Sequence, residues 1–226
     1  MGGFWEILGR ELPRFLPILL DGFRITIGVA VFSFVIAMAG GLLLAIGKMS
    51  KLRPVSLACN WYIELIRGTP ALTQLFIIYF GLSQYGIDVP GFLAAVLGLG
   101  LNGAAYVAEI FRAGLTAIPD GQRQAGLSLG LTPVQIFTHI LVPQAFRLML
   151  PPFCSYGVQL LKDTSLASVV AAPEIMFRAR ILIAETYLSM QIYLLVAVIY
   201  LCVSIPLGVF ANWLHRHLHS AKTVRA

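Results

Sequence analysis

The chain has 226 residues, of which 58% are hydrophobic and 12% charged, about half the charged share of an ordinary globular domain, roughly 25%. Too few polar side chains are present to cover a water-soluble surface. The net charge of +6 could point to nucleic acid, but the sixteen Lys and Arg are scattered rather than gathered on one stripe, so membrane topology is the better source of the basic excess.

Residues 1–24 mix Glu6, Arg10, Glu11 and Arg14 with Trp5, Leu8, Leu12 and Phe15. This is not a positive segment followed by a clean apolar core, so it predicts an interfacial amphipathic helix rather than a cleaved signal peptide. Residues 25–46 form a run of 22 without a charge, and about 20 apolar residues let a helix cross roughly 30 Å of hydrocarbon. Further spans are predicted over 55–82, 89–111, about 140–161 and 187–214, which makes five in all. Gly40, Gly41, Gly98, Gly100 and Gly103 read as small faces for close helix packing. Cys59, Cys154 and Cys202 match no metal or redox spacing and read as small buried hydrophobes. His215, His217 and His219 read as a membrane-edge cluster without a metal.

An odd number of spans puts the termini on opposite sides. Lys48, Lys51 and Arg53 crowd the first connection and Arg216, Lys222 and Arg225 follow the last span, whereas residues 81–90 carry no base. The positive-inside rule then places the N-terminus outside and the C-terminus inside. Arg178 and Arg180 fall on the outer half, with Glu174 and Glu185 near enough in sequence to offset them.

In that orientation the polar stretch 112–139 is cytoplasmic. Pro119 and Asp120 open a helix that Gly130 can close in a left-handed cap, and Thr132 then serves as N-cap with Pro133 at the next first helical position. The expectation is a short helix, a sharp elbow and a second helix. Grammar alone leaves an ordinary connecting loop open as the alternative.

The elbow reads Gln124-Ala125-Gly126, three residues, Gly130, nine residues, then Ile140-Leu141-Val142-Pro143. This resembles the loop of importer permeases of the ATP-binding-cassette (ABC) class, written E-A-A, three residues, G, nine residues, I-x-L-P. The spacing matches, with Gln in place of Glu and Gly126 in place of the second Ala. Over residues 20–200 the chain is similar to the polar amino acid branch of that class, the histidine, glutamine, arginine, cystine and opine permeases. Arg67-Gly68-Thr69-Pro70, Ala104-Ala105-Tyr106 with Glu109 and Arg112, Pro143-Gln144-Ala145 and Lys162-Asp163-Thr164-Ser165-Leu166 carry that likeness.

The resemblance implies an all-α membrane protein of the type I ABC importer permease fold, with about five transmembrane helices and a cytoplasmic coupling-helix loop. In that reading residues 1–24 are an interfacial segment, 25–214 the permease domain with its coupling loop 112–139, and 215–226 a cytoplasmic tail. The implied partners are a second permease subunit, identical or homologous, two ATPase subunits, a periplasmic substrate-binding protein, an amino acid and membrane lipid, in the bacterial inner membrane. Gln124, Ala125, Gly126, Gly130 and Pro143 are then the ATPase-coupling residues. No G-x-x-x-x-G-K-[ST] loop is present to cradle phosphates. ATP and Mg therefore belong to the partner, no cofactor is expected in this chain, and the chain is a transporter subunit rather than an enzyme.

Lys162-Asp163-Thr164-Ser165 interrupts two apolar stretches, and charges at membrane depth cost roughly 2.5 to 3.5 kcal/mol each unless they face a cavity or a partner. A zwitterion needs a cation for its carboxylate and a carboxylate or carbonyls for its amine. Lys162, Asp163, Thr164 and Ser165, with Thr69 and Ser155, are therefore the substrate-binding candidates, held on an unwound helix. The alternative is that Lys162 and Asp163 only neutralise each other at the outer interface. Glu64 with Arg67, and Glu109 with Arg112, can pair at a spacing of three. With Gly68 and Pro70, which break the second span, these are structural candidates, with gating as their second reading. Two rivals remain: an ion- or proton-coupled secondary transporter, and a membrane-embedded enzyme. The absence of an internal repeat counts against the first, and the absence of a nucleophile-and-base set against the second, with His139 lying in the elbow rather than in a pocket. The fourth span has no acidic residue before Asp163, which leans away from a dedicated cationic substrate.

Overall fold

The computed structural model describes residues 4–220, and side chains as far as residue 217. Helix α1 runs from Phe4–Lys48 as one helix of 45 residues, through Pro13 and Pro17. No break at residue 24 separates an interfacial segment from the first span. Tertiary packing overrides the two prolines: Phe15 and Leu19 are fully buried against Ile175, Ala179, Leu182, Ile192 and Val196.

The second span is broken, as expected. Helix α2, Arg53–Arg67, ends at Gly68, and α3, Ala71–Phe76, starts behind Pro70 and continues as a π-helical stretch over Ile77–Gly81. Helix α4, Gly91–Thr116, carries the third span five residues beyond Phe111, so Arg112 sits in a helix. The glycines of α1 and α4 seat these helices against each other: a Cβ on Gly41 would lie 2.7 Å from Val107 Cβ, and one on Gly100 2.8 Å from Ile36 Cβ.

Helix α5, Asp120–Ser128, precedes the elbow. Helix α6, Pro133–Gln135, a π-helical stretch over Ile136–Leu141 and α7, Val142–Asp163, follow one another without a gap. Beyond Asp163 the backbone does not unwind as expected at 162–165; it tightens into a 3-10 helix over Thr164–Val170. The hydroxyls explain why, since Thr164 Oγ1 donates to the Leu161 carbonyl at 2.7 Å and Ser168 Oγ to that of Ser165 at 2.9 Å. The break comes at Ala171, in the left-handed region at φ 56°. Helix α8, Ile175–Thr186, and α9, Ser189–Ser220, complete the described chain.

By length and composition three helices among the described residues suit a membrane crossing on their own, Phe4–Lys48, Gly91–Thr116 and Ser189–His217. The other two expected spans are the broken α2–α3 and α7, which carries Gln144, Arg147, Gln159 and Lys162. A helix that polar faces a cavity or protein along one side. The predicted charge offset near α8 is corrected. Arg178 Nη2 reaches Asp21 at 3.3 Å and Glu185 takes Arg14 at 3.4 Å, both from the first half of α1, while Glu174 turns inward. His219 and the tail from 221 lie outside the described side chains.

Candidate functional site

The elbow is built as the residue grammar predicts. Gly130 has φ 74°, its N–H donates to Leu127 O at 2.9 Å, and that of Leu131 donates to Gly126 O at 3.1 Å. This double closure satisfies the last carbonyls of α5. Thr132 Oγ1 then accepts from the Gln135 N–H at 3.3 Å while Gln135 Oε1 accepts from the Thr132 N–H at 2.9 Å. The sequence reading found the cap but not this reciprocal bond, although Thr-x-x-Gln is its signature.

Gly126, the departure from the family's alanine, is buried, and a Cβ there would lie 2.8 Å from Ile136 Cγ1. The isoleucine of the next helix uses the space that an alanine methyl would take. Gln144 Nε2 also reaches from α7 to Gln122 Oε1 at 3.4 Å and to the Ile140 carbonyl at 2.9 Å. Pro143 lies in the first turn of α7, on the wall of an approximately 460 Å³ cleft that also takes in Ala125, Gly126, His139 and Arg147. Gln124 and Ala125 are exposed on α5, Ala125 at the edge of this cleft, and Leu129 and Val134 are 78% and 71% exposed. With Leu127, Leu129 and Val134 leave an exposed apolar patch at the end of the otherwise polar α5.

A second cleft, of about 710 Å³, opens between α2, α4 and α7. It brings together Arg67, Tyr106, Glu109, Ser155, Tyr156 and Gln159. Gln159 Nε2 donates to Asp163 Oδ1 at 2.8 Å, which joins Asp163 to this side of α7. Lys162 does not share it. Successive helix residues point about 100° apart, and Lys162 lines a separate cleft of about 450 Å³ with Ser165, Met176, Tyr193 and Tyr200. No ion pair within 4 Å joins Lys162 to Asp163 among the described residues. Thr164 is fully buried, and Thr69 is turned to the Leu65 carbonyl at 2.9 Å and to Gln74 at 2.8 Å. The substrate candidates are thus divided among four surroundings.

Of the two expected helix pairs, one forms. Arg112 grips Glu109 through Nε and Nη2, at 2.9 and 2.8 Å, and Lys48 Nζ completes a triad at 2.8 Å. Lys48 is 61 residues away, so no local signal could have shown it. Arg67 instead lies over the Tyr106 ring, 5.5 Å from its centroid, and no Glu64–Arg67 ion pair forms among the described residues. A guanidinium on an aromatic face keeps its charge available to the cleft.

The sequence reading also missed a polar knot. Glu174 is fully buried as the N-cap of α8; its Oε1 accepts from the Phe177 N–H at 2.8 Å and its Oε2 from Thr26 Oγ1 at 3.4 Å. Thr26 Oγ1 in turn accepts from the Ile175 N–H at 3.2 Å. The Tyr200 hydroxyl is buried close to Glu174, Thr26 and Thr164, but makes no well-formed hydrogen bond to any of them.

A body of long apolar helices with a polar-lined cleft between them and an exposed, capped elbow is the architecture of a membrane-spanning transporter subunit. Residues 37–224 match the model of the binding-protein-dependent transport system inner membrane component, and the chain belongs to this family. It is 34% identical over 95% of its length, and 91% of the relative's, to the L-cystine transport system permease protein TcyB of Bacillus subtilis (strain 168). It is 35% identical over 91% of its length, and 94% of the relative's, to the arginine transport system permease protein ArtQ of the same organism. Against the octopine transport system permease protein OccM of Rhizobium radiobacter the figures are 38%, 81% and 78%. The solved structure of an amino acid ABC transporter with histidines superposes with a TM-score of 0.89 at 33% identity, covering 96% of this chain and 99% of that one. The inward-facing MetNI methionine ABC transporter shares the fold, with a TM-score of 0.63 at 18% identity, covering 88% of this chain and 95% of that one.

Proposed function

We infer that the chain is the membrane-spanning permease subunit of an ATP-driven importer that carries polar amino acids into the cytoplasm. The observation that carries this reading is the elbow, whose family spacing coincides with a double helix closure and a reciprocal cap. A short helix closed at its C-terminal end, with a capped helix start directly behind it, can move as a body in a groove of an ATPase, and the contiguous helix from Pro133 through Pro143 to Asp163 carries that motion into the membrane. The partners that fit are an ATPase dimer with ATP and Mg, a second permease subunit and a periplasmic binding protein, with the N-terminus outside. The relatives, named for cystine, arginine and octopine, support an amino acid as cargo.

The substrate path proposed is the cleft of Arg67, Tyr106, Ser155 and Gln159, with Asp163 beyond Gln159. Arg67 supplies a cation for a carboxylate, and Asp163 an anion for an amine. Lys162, Thr164, Ser165 and Thr69 then act around the path rather than on it.

The test is ATP-dependent uptake by vesicles holding the complete transporter. Asp163→Asn should lower uptake on the order of 10- to 100-fold, the value of a lost charge-assisted bond, with assembly intact. Lys162→Met should reduce uptake far less and should not repair Asp163→Asn. Restoration of transport in the double variant would mean that the two charges serve only each other.

A further inference from the structure

Two clefts in the membrane body are lined without a single charged or hydroxyl side chain. The larger, about 520 Å³, lies between α1, α7 and α9 and includes Val31, Phe34, Met38, Cys154, Gly157 and Phe210. The other, about 410 Å³, lies between α1, α4 and the start of α7 and includes Leu42, Met49, Phe137 and Val142. Phe146 lines both, and Met38 and Leu42 are one helical turn apart on α1, so the two form one continuous groove. We propose that this groove binds an acyl chain of an anionic phospholipid from the leaflet on the elbow side.

Three observations select this occupant. First, the rims are apolar and exposed, with Val31, Val35, Leu42, Leu43, Ile46, Phe146 and Phe210 among the large hydrophobics left uncovered. In a bilayer such a groove meets hydrocarbon, and an unfilled one forfeits its dispersion contacts. Second, the groove is long enough: its α7 lining runs from Val142 to Leu161, about 29 Å at about 1.5 Å per residue, and a chain that enters at the Met49 end meets Cys154 about 18 Å along it, close to the depth of one leaflet, half of the roughly 30 Å core. Third, the end at Met49 is basic. Lys51 and Arg53 follow within four residues, both are exposed, and no carboxylate oxygen lies within 4 Å of either among the described residues. Lys48, by contrast, is committed to Glu109. A headgroup phosphate at that level meets two uncompensated cations.

Gly157 offers a way to close the groove without disturbing the core, since a Cβ there meets only the Phe34 ring, at 3.5 Å. The permease is purified with its ATPase in mild detergent, and retained phosphatidylglycerol and phosphatidylcholine are counted by native mass spectrometry after loading with equal amounts of each. Phosphatidylglycerol should be retained preferentially, and both Gly157→Phe and Lys51→Glu with Arg53→Glu should lower its retention. For the charge reversal the loss should be on the order of 10-fold, which is the affinity that two surface cations lend to an anionic headgroup. As a second measurement, Cys154, half-buried on the groove wall, is kept as the sole thiol by Cys59→Ser and Cys202→Ser. Its labelling by N-phenylmaleimide in nanodiscs should slow when phosphatidylglycerol replaces phosphatidylcholine. Equal retention of the two lipids, or labelling indifferent to the headgroup, would overturn the proposal. Cross-linking of Cys154 to a neighbouring copy of the chain would overturn it too, by showing that protein rather than lipid fills the groove.

Discussion

The elbow at Gly130 and the knot at Glu174 solve the same problem, how to end one helix and begin another, by opposite means. Every hydrogen bond of the elbow closure and cap spans five residues or fewer, from Leu131 to Gly126 at the widest. The knot also has a local bond, from Phe177 to Glu174, but its distinctive contacts cross 148 and 149 residues to Thr26. The elbow is therefore a self-sufficient unit that can move as a body, whereas the knot fastens α1 to the start of α8 and has to stay put. A transporter whose energy enters at one place needs both, a mobile handle and a fixed frame for it to work against.

The largest effect expected follows from that contrast. Glu174→Ala removes an N-cap and strands the part-buried Phe177 N–H, while the Thr26 hydroxyl falls back on the Gly22 carbonyl at 3.3 Å, which should destabilise the protein by about 2 kcal/mol. Thermal unfolding of the purified permease should show a markedly lower midpoint, and Glu174→Gln, whose carbonyl oxygen keeps the Phe177 N–H while its amide can donate to Thr26 Oγ1 with the hydroxyl turned to the Gly22 carbonyl, should recover most of it. An unchanged midpoint for the alanine variant would mean that the knot does not hold the frame.

At the elbow the expectation is loss of coupling without loss of fold. Gly130 has open space around it, so a side chain is opposed there by the backbone at φ 74° rather than by crowding, at a cost of about 1 kcal/mol. Gly130→Asp should therefore insert and unfold nearly as the parent does. Its ATP-driven uptake should nevertheless fall by on the order of 10-fold or more, because the helix leaves the elbow at a different angle and a charge enters the exposed apolar patch. Normal uptake with normal substrate-stimulated ATP hydrolysis would remove the elbow from the coupling path.

The same contrast explains what was legible in the sequence. The elbow could be read because capping is local chemistry: Pro119, Gly130, Thr132 and Pro133 each declare their backbone role by residue type. The broken second span was legible for the same reason, through Gly68 and Pro70. Lys48 joining Glu109, Arg67 turning from Glu64 to Tyr106, and Thr26 meeting Glu174 were not, since each depends on which helices become neighbours. That Lys162 and Asp163 take different surroundings was not legible either, because it follows from the helix staying wound. Adjacent residues on a wound helix point about 100° apart, so Lys162 lines one cleft while Asp163 bonds Gln159 on the wall of another.

The smallest effect expected is at Tyr200, and it decides how far the knot extends. The hydroxyl is buried close to Glu174, Thr26 and Thr164, and by proximity alone it would rank as a fourth member tying α9 into the frame. Its geometry says otherwise: no partner completes a well-formed bond to Oη, and Glu174 already accepts from Phe177 and Thr26. A buried hydroxyl without a good partner contributes little, and its removal with the ring retained leaves no cavity and orphans no other group. Tyr200→Phe should therefore change stability by less than about 0.5 kcal/mol, within the range of an unremarkable substitution, where Glu174→Ala costs several times more. If Tyr200→Phe instead lowered the unfolding midpoint about as far as Glu174→Ala does, and the two changes together cost no more than either alone, the knot would include α9, and its hold on α1 and α8 would run through the tyrosine.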